Sequence, residues 1–155
     1  RMNSGYESHA YDQGVGRALW FICGGSLAHS VATLEKFPAE RQPDLWAGLG
    51  LAMTYTECAA ADDFSAAILM AGQHGGLFAL GIAFACEARH RAGVASSQAD
   101  AAARQIWSMD ADAVASLVRE TREQSQSEDP DVPGYEVWRR KVIMTRAEGG
   151  RVKKC

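Results

Sequence analysis

Trp46-Ala47-Gly48-Leu49-Gly50-Leu51-Ala52-Met53 and Leu77-Phe78-Ala79-Leu80-Gly81-Ile82-Ala83-Phe84 carry one pattern, 31 residues apart: a large residue, Leu-Gly after two positions, and a second large residue after two more. Around the first copy, Leu45, Leu49, Ala52 and Thr56 recur at helical spacing, with Trp46 and Met53 beside them. The glycine lets a partner helix approach closely, and the large residues fill the groove between helices. This is close to the tetratricopeptide pattern, and hairpins starting near residues 12, 43 and 75 would repeat every 31 to 32 residues. The first hairpin matches loosely, through Val15, Leu19 and Ile22. Alternating β-branched runs are missing and alanine is abundant, so the expected fold is all-α. It consists of stacked antiparallel helical hairpins, forming either a tetratricopeptide-like right-handed superhelix or a compact helical bundle.

Working outward, the sequence predicts about eight helices. They run from about Asp12 to Cys23, Ser26 to Phe37, Pro43 to Thr56, Asp62 to Gly72, Gly76 to Gly93, Ser97 to Ser108, Asp110 to Gln124 and Gly134 to Ala147. Ser26 is a natural N-cap, and Pro43 suits a first turn, where its missing amide hydrogen does no harm. The fifth helix is apolar nearly all round and is expected at the centre. Its end carries Arg89, His90 and Arg91, then Gly93, which suits the helix dipole and a left-handed cap. Residues 1–11 are expected to be a flexible segment, 12–148 one helical domain, 124–133 an acidic loop and 149–155 a flexible tail.

With 155 residues, 47% hydrophobic and 23% charged, the chain has the apolar content for one core. A net charge of −3 excludes the strongly basic footprint of a nucleic-acid binder. The longest apolar run, Leu77 to Cys86, is about half the roughly 20 residues a membrane span needs, so no span is expected. Cys23, Cys58 and Cys86 lie in apolar runs without CxxC spacing, and with Cys155 are read as reduced thiols in a cytoplasmic protein. Arg1 to Gln13 lacks the apolar core of a signal peptide.

Several stretches in order carry a family resemblance. They are Gly14-Val15-Gly16-Arg17-Ala18-Leu19-Trp20-Phe21, Phe37-Pro38-Ala39-Glu40-Arg41, Asp44 to Ala52, Phe84-Ala85-Cys86-Glu87-Ala88-Arg89-His90-Arg91-Ala92-Gly93 and Tyr135-Glu136-Val137-Trp138-Arg139. Over roughly residues 11 to 140 the chain resembles the second half of the UnbL-type proteins of enediyne biosynthesis, a family of unknown function. That family is about twice this long and accompanies the polyketide synthase that makes the polyene precursor. The resemblance therefore implies an accessory protein of that pathway, with no catalytic residue to carry over. Its partners would be a hydrophobic polyene or polyketide intermediate, other pathway proteins, or the N-terminal half. The alternatives are an enzyme that modifies the polyene and a structural dimerisation module.

The candidate groove residues are Arg17, Trp20, Trp46, His74, Glu87 and His90. Cys86 and His90, four apart on one helix with Glu87 between, have zinc-ligand chemistry, but His74 is the only third ligand nearby and sits in a glycine turn. A buried cysteine and a dipole-stabilised histidine is the favoured reading, so neither metal nor cofactor is expected. Gly14-x-Gly16-Arg17 lacks the strand and third glycine of a phosphate cradle, and reads as packing. Arg17 is expected to form a structural ion pair or to face a ligand carboxylate or phosphate. Trp20, Trp46, Phe78, Phe84, Trp107, Tyr135 and Trp138 are expected mostly in the core, with part of the set lining a concave face.

Overall fold

Local signals set most helix ends. Ser26, Ser96 and Asp110 have extended backbones, and their side chains accept from the amides of His29, Ala99 and Ala113, satisfying donors that a first turn leaves open. The fifth helix stops where Gly93 turns left-handed (φ 67°), with the Gly93 and Val94 amides donating to the carbonyls of His90 and Arg89.

A computed structural model describes residues 6–125 and 132–152, with side chains as far as residue 146. Among these residues lie α1 (Tyr6–Ile22), α2 (Leu27–Leu34), α3 (Gln42–Thr56), α4 (Asp63–Ala71), a 3-10 turn (Gly72–His74), α5 (Gly75–Ala92), α6 (Ser97–Trp107), α7 (Ala111–Glu123) and α8 (Gly134–Val152), and no strand. The all-α expectation holds. Helix α2 stops at Leu34, short of the expected Phe37, and two further boundaries move outward. Helix α1 begins at Tyr6, inside the segment expected to be flexible, because Tyr6 packs edge-on against Tyr135 and His9 contacts Asp44. Helix α8 continues to Val152, past the expected tail boundary at 149. Most of the expected acidic loop lies outside the described residues.

Helices α1, α3 and α5 lie side by side and parallel. His9 meets Asp44 while Trp20 meets Thr56, and Trp46 meets Phe78 while Arg89 reaches the Tyr55 carbonyl. Helices α2, α4 and α6 touch in series and pack against this row. Helix α7 then reverses: its start faces the end of α5 through Asp112 and His90, and its later turn faces Glu87 through Arg119. Helix α8 returns antiparallel to α5, with Trp138 against Phe84 (4.7 Å between centroids) and Ile143 over Gly76. The three-hairpin repeat therefore ends before the C-terminal pair. Helix α3 makes scarcely any contact with α4, unlike partners within a tetratricopeptide hairpin. Of the two expected arrangements, the compact bundle forms.

The repeated glycines explain why. A Cβ on Gly81 would lie 2.1 Å from the Ala47 carbonyl oxygen, and one on Gly48 2.1 Å from that of Gln13. Gly16 and Gly50 face the backbones of Leu45 and Phe78 in the same two seams. Backbones this close exchange Cα–H···O contacts and dense packing that any side chain would prevent. Helix α5 is central as expected, with eleven of its 18 residues buried. The stretch 63–92 passes a membrane-span test of length and composition, but half of its window is buried inside the fold, as in a core helix.

Candidate functional site

Parallel helices bring residues at equal heights into levels. Gln13, Gly48 and Gly81 form one level; Arg17, Leu51 and Phe84 the next; Phe21, Tyr55 and Ala88 the third. Side chains three or four apart share a helix face, so these levels make one continuous surface opposite α2, α4 and α6. The eight steps of helical rise from Gln13 to Phe21 give it a length of about 12 Å.

Two cavities follow each other along this surface. The first is a recess of about 50 Å³, floored by Gly48 and Gly81 and walled by Gln13, Arg17, Phe84, Tyr135 and Arg139. The second is an open groove of about 390 Å³ walled by Arg17, Phe21, Leu51, Ala52, Tyr55, Thr56 and Ala88. Its lining is almost wholly apolar, and Phe21 and Tyr55 stay 65% and 45% exposed, unusual for large apolar rings on a folded surface. Arg17 and Leu51 line both cavities, and Arg17 is the charged one of the two. Beyond the recess, Phe84, Tyr135, Trp138 and Tyr6 form an aromatic cluster with ring centroids 4.7 to 5.9 Å apart.

Behind the recess stands a buried polar network joining three helices. Asp44 Oδ1 accepts from Arg139 Nη2 (2.8 Å) and Gln13 Nε2 (3.1 Å), while His9 Nδ1 lies 2.7 Å from Asp44 Oδ2. Arg139 Nη1 donates to Glu136 Oε2 (2.9 Å). Asp44 sits in the first turn of α3, where the positive end of the helix dipole favours a carboxylate. Burial pushes the Tyr6 hydroxyl up to about 12, and burial also raises Tyr135, against the opposing pull of Arg139 and Arg17.

The six residues read from sequence do not share one pocket. Arg17 stands in the groove and is exposed. The expected structural ion pair for it does not form: among the described arginines, Arg17 alone has no hydrogen bond, ion pair or ring contact, because its neighbours in the groove are apolar or already paired. Trp20 is core, its indole donating to Thr56 Oγ1 at 2.9 Å, and Trp46 is core, edge-on to Phe78. His74 lies at the start of α5 and His90 near its end, about 24 Å apart by helix rise. Glu87 accepts from Arg119 (2.8 Å), and His90 Nδ1 lies 3.0 Å from Asp112 Oδ1, both in the seam between α5 and α7. Of the aromatic set, Phe84 and Tyr135 line the recess and Trp138 packs against both; Phe78 and Trp107 are buried.

A wider cavity, about 590 Å³, opens at the end of α5 beside Cys86, His90, Asp100 and Asp112. Most of its polar groups are committed, although the buried Nε–H of Arg89 has no acceptor. Asp100 is held below the usual carboxylate range by the side-chain hydrogen bond from Arg104, then by the Ala111 amide. Burial pushes the Cys86 thiol up to about 12, which keeps it protonated and a poor ligand or nucleophile. Cys86 is buried as expected, whereas Cys58 is exposed and Cys23 partly so, since both fall just past helix ends. No cluster of three His, Cys, Asp or Glu side chains occurs among the described residues.

A protein-family model matches residues 1–145. The chain belongs to that family, described as protein of unknown function (DUF1702). No curated protein and no solved structure matches it. In this family member, sequence reading missed Phe21, Leu51, Tyr55, Asp44 and Arg139. The first three had a signal, since Arg17 and Phe21, and Leu51 and Tyr55, are four apart on their helices. Asp44, a lone acid before an apolar run, marked a buried first turn.

Proposed function

We propose that this protein is an accessory component of enediyne polyketide biosynthesis that holds the linear polyene intermediate in the groove across α1, α3 and α5, working in the cytoplasm. The observation that carries the reading is the open apolar groove itself. Its volume falls within the range of small-molecule sites, its walls are apolar, and it runs on from the recess floored by Gly48 and Gly81. A rigid conjugated chain needs such a straight trough rather than a closed pocket. The pathway rests on the resemblance of the stretches around Arg17, Trp46, Glu87 and Trp138.

Titration with the linear polyene tests this. Trp20 donates to Thr56, and Thr56 lines the groove. Binding is expected to quench or shift tryptophan emission and to raise the melting temperature, the stabilisation growing with the logarithm of ligand over Kd. No change in either at saturating polyene would reject the reading.

A second reading has the same face dock a pathway protein. Ile22, 78% exposed beside Phe21, extends the apolar surface past what a thin chain covers. The enzymatic alternative would draw on Arg17, His74, Glu87 and His90, which stand on separate faces.

A further inference from the structure

We infer that the groove's ligand is an amphiphile with a carboxylate head, and that Arg17 selects it by receiving that carboxylate at the mouth of the recess while the chain lies against Leu51, Phe21 and Tyr55. This rests on the reading of the groove as a site for an extended apolar chain, and adds the chemical class and polarity of that chain.

Three observations converge. Arg17 borders both cavities, so a group placed at its guanidinium has the recess on one side and the apolar trough on the other. Its charge is unanswered by any described side chain, whereas Arg139 is answered by Asp44 and Glu136. The Nε–H of Arg139, which is only 4% exposed and lines the same recess, is a buried donor without an acceptor. Buried donors are ordinarily satisfied, so an orphan beside an unpaired guanidinium points to an acceptor that arrives with a ligand. A planar two-oxygen head matches the guanidinium fork. The recess, about 50 Å³, holds a head of a few heavy atoms and no bulky group. The Tyr135 hydroxyl, raised by burial, remains a donor at neutral pH.

The test uses a fluorescent conjugated C18 tetraene fatty acid and its methyl ester, which share a chain and differ in charge. The full chain, Arg17→Gln and Arg17→Lys are titrated with each by fluorescence enhancement. The acid is expected to bind the unmodified protein roughly tenfold or more tighter than the ester, as one charge-assisted pair implies. Arg17→Gln is expected to bind acid and ester alike, at the ester's affinity, with an unchanged melting temperature. Arg17→Lys is expected to restore part of the preference, and added salt to reduce it. Equal binding of acid and ester, or a preference that survives Arg17→Gln, overturns the head-group assignment and leaves the groove reading standing. Binding of neither probe overturns the groove reading as well.

Discussion

Replacing Gly81 by alanine puts one methyl group into the seam between α3 and α5, 2.1 Å from the Ala47 carbonyl oxygen, 2.6 Å from the Leu51 nitrogen and 3.1 Å from the Ala47 carbonyl carbon. All three are backbone atoms, so no rotamer change can relieve the clash. Ordinary contact begins at about 3.5 Å, so the two helices must part by roughly 1.4 Å. Overpacking costs about 1–3 kcal/mol, and a clash with backbone atoms alone belongs at the top of that range. Alanine's better helix propensity offsets only about 1 kcal/mol of that. The same substitution at Gly14, where nothing lies within 4 Å, has the propensity gain and no clash. Gly14→Ala is therefore expected to stabilise by about 0.5–1 kcal/mol, and Gly81→Ala to destabilise by about 2 kcal/mol. At this size that difference separates their melting temperatures by roughly 6–12 °C. Urea unfolding followed by far-ultraviolet circular dichroism reads both. If Gly81→Ala matches or exceeds the unmodified protein, the backbone seam is not as close as described, and the floor of the recess goes with it.

Other outcomes follow from the same contacts. Asp44→Ala leaves the buried Arg139 charge with Glu136 alone and is expected to cost about 1.5–3 kcal/mol, with a double-mutant cycle against Arg139→Ala showing strong coupling; additive losses would refute the pairing. The Cys86 thiol, at about 12 when folded against 9.0 unfolded, keeps its proton in the native state. Its contribution is fully present below pH 9 and is lost as pH rises towards 12, at about 1.4 kcal/mol per pH unit. Alkaline denaturation of Cys86→Ala is expected to be shallower over that window, and an identical slope would contradict the burial. Phe21→Ser is expected to leave stability within about 0.5 kcal/mol, since the ring is exposed, yet to weaken polyene binding; unchanged binding would remove Phe21 from the groove.

Much of the fold was legible because its information is local. Arg89 to Gly93 gave the end of α5, because capping depends on a few neighbouring residues. The Leu-Gly repeat marked glycines of close approach but pointed to the paired helix of each hairpin, whereas Gly50 and Gly81 face α5 and α3. The reversal of α7 was not legible: nothing near Asp110 says whether the next helix continues a stack or folds back. The Asp44–Arg139 pair was hidden for a similar reason, as its partners are 95 residues apart. The start of α1 was missed because Tyr6 and His9 are held by α8 and α3 rather than by local propensity. For the site, chemistry-bearing residues were over-weighted. Trp20 and Trp46 turned out to be core, while Phe21 and Tyr55, ordinary in sequence, shape the groove because their helices leave that face uncovered.

The most direct measurement is native mass spectrometry of the protein purified from cells that make the polyketide, beside its Phe21→Arg variant. The expected result is one small apolar adduct, with the mass of a conjugated chain, on the unmodified protein and none on the variant. A bare chain in both, or the same adduct retained by Phe21→Arg, would contradict a polyene-holding groove across α1, α3 and α5.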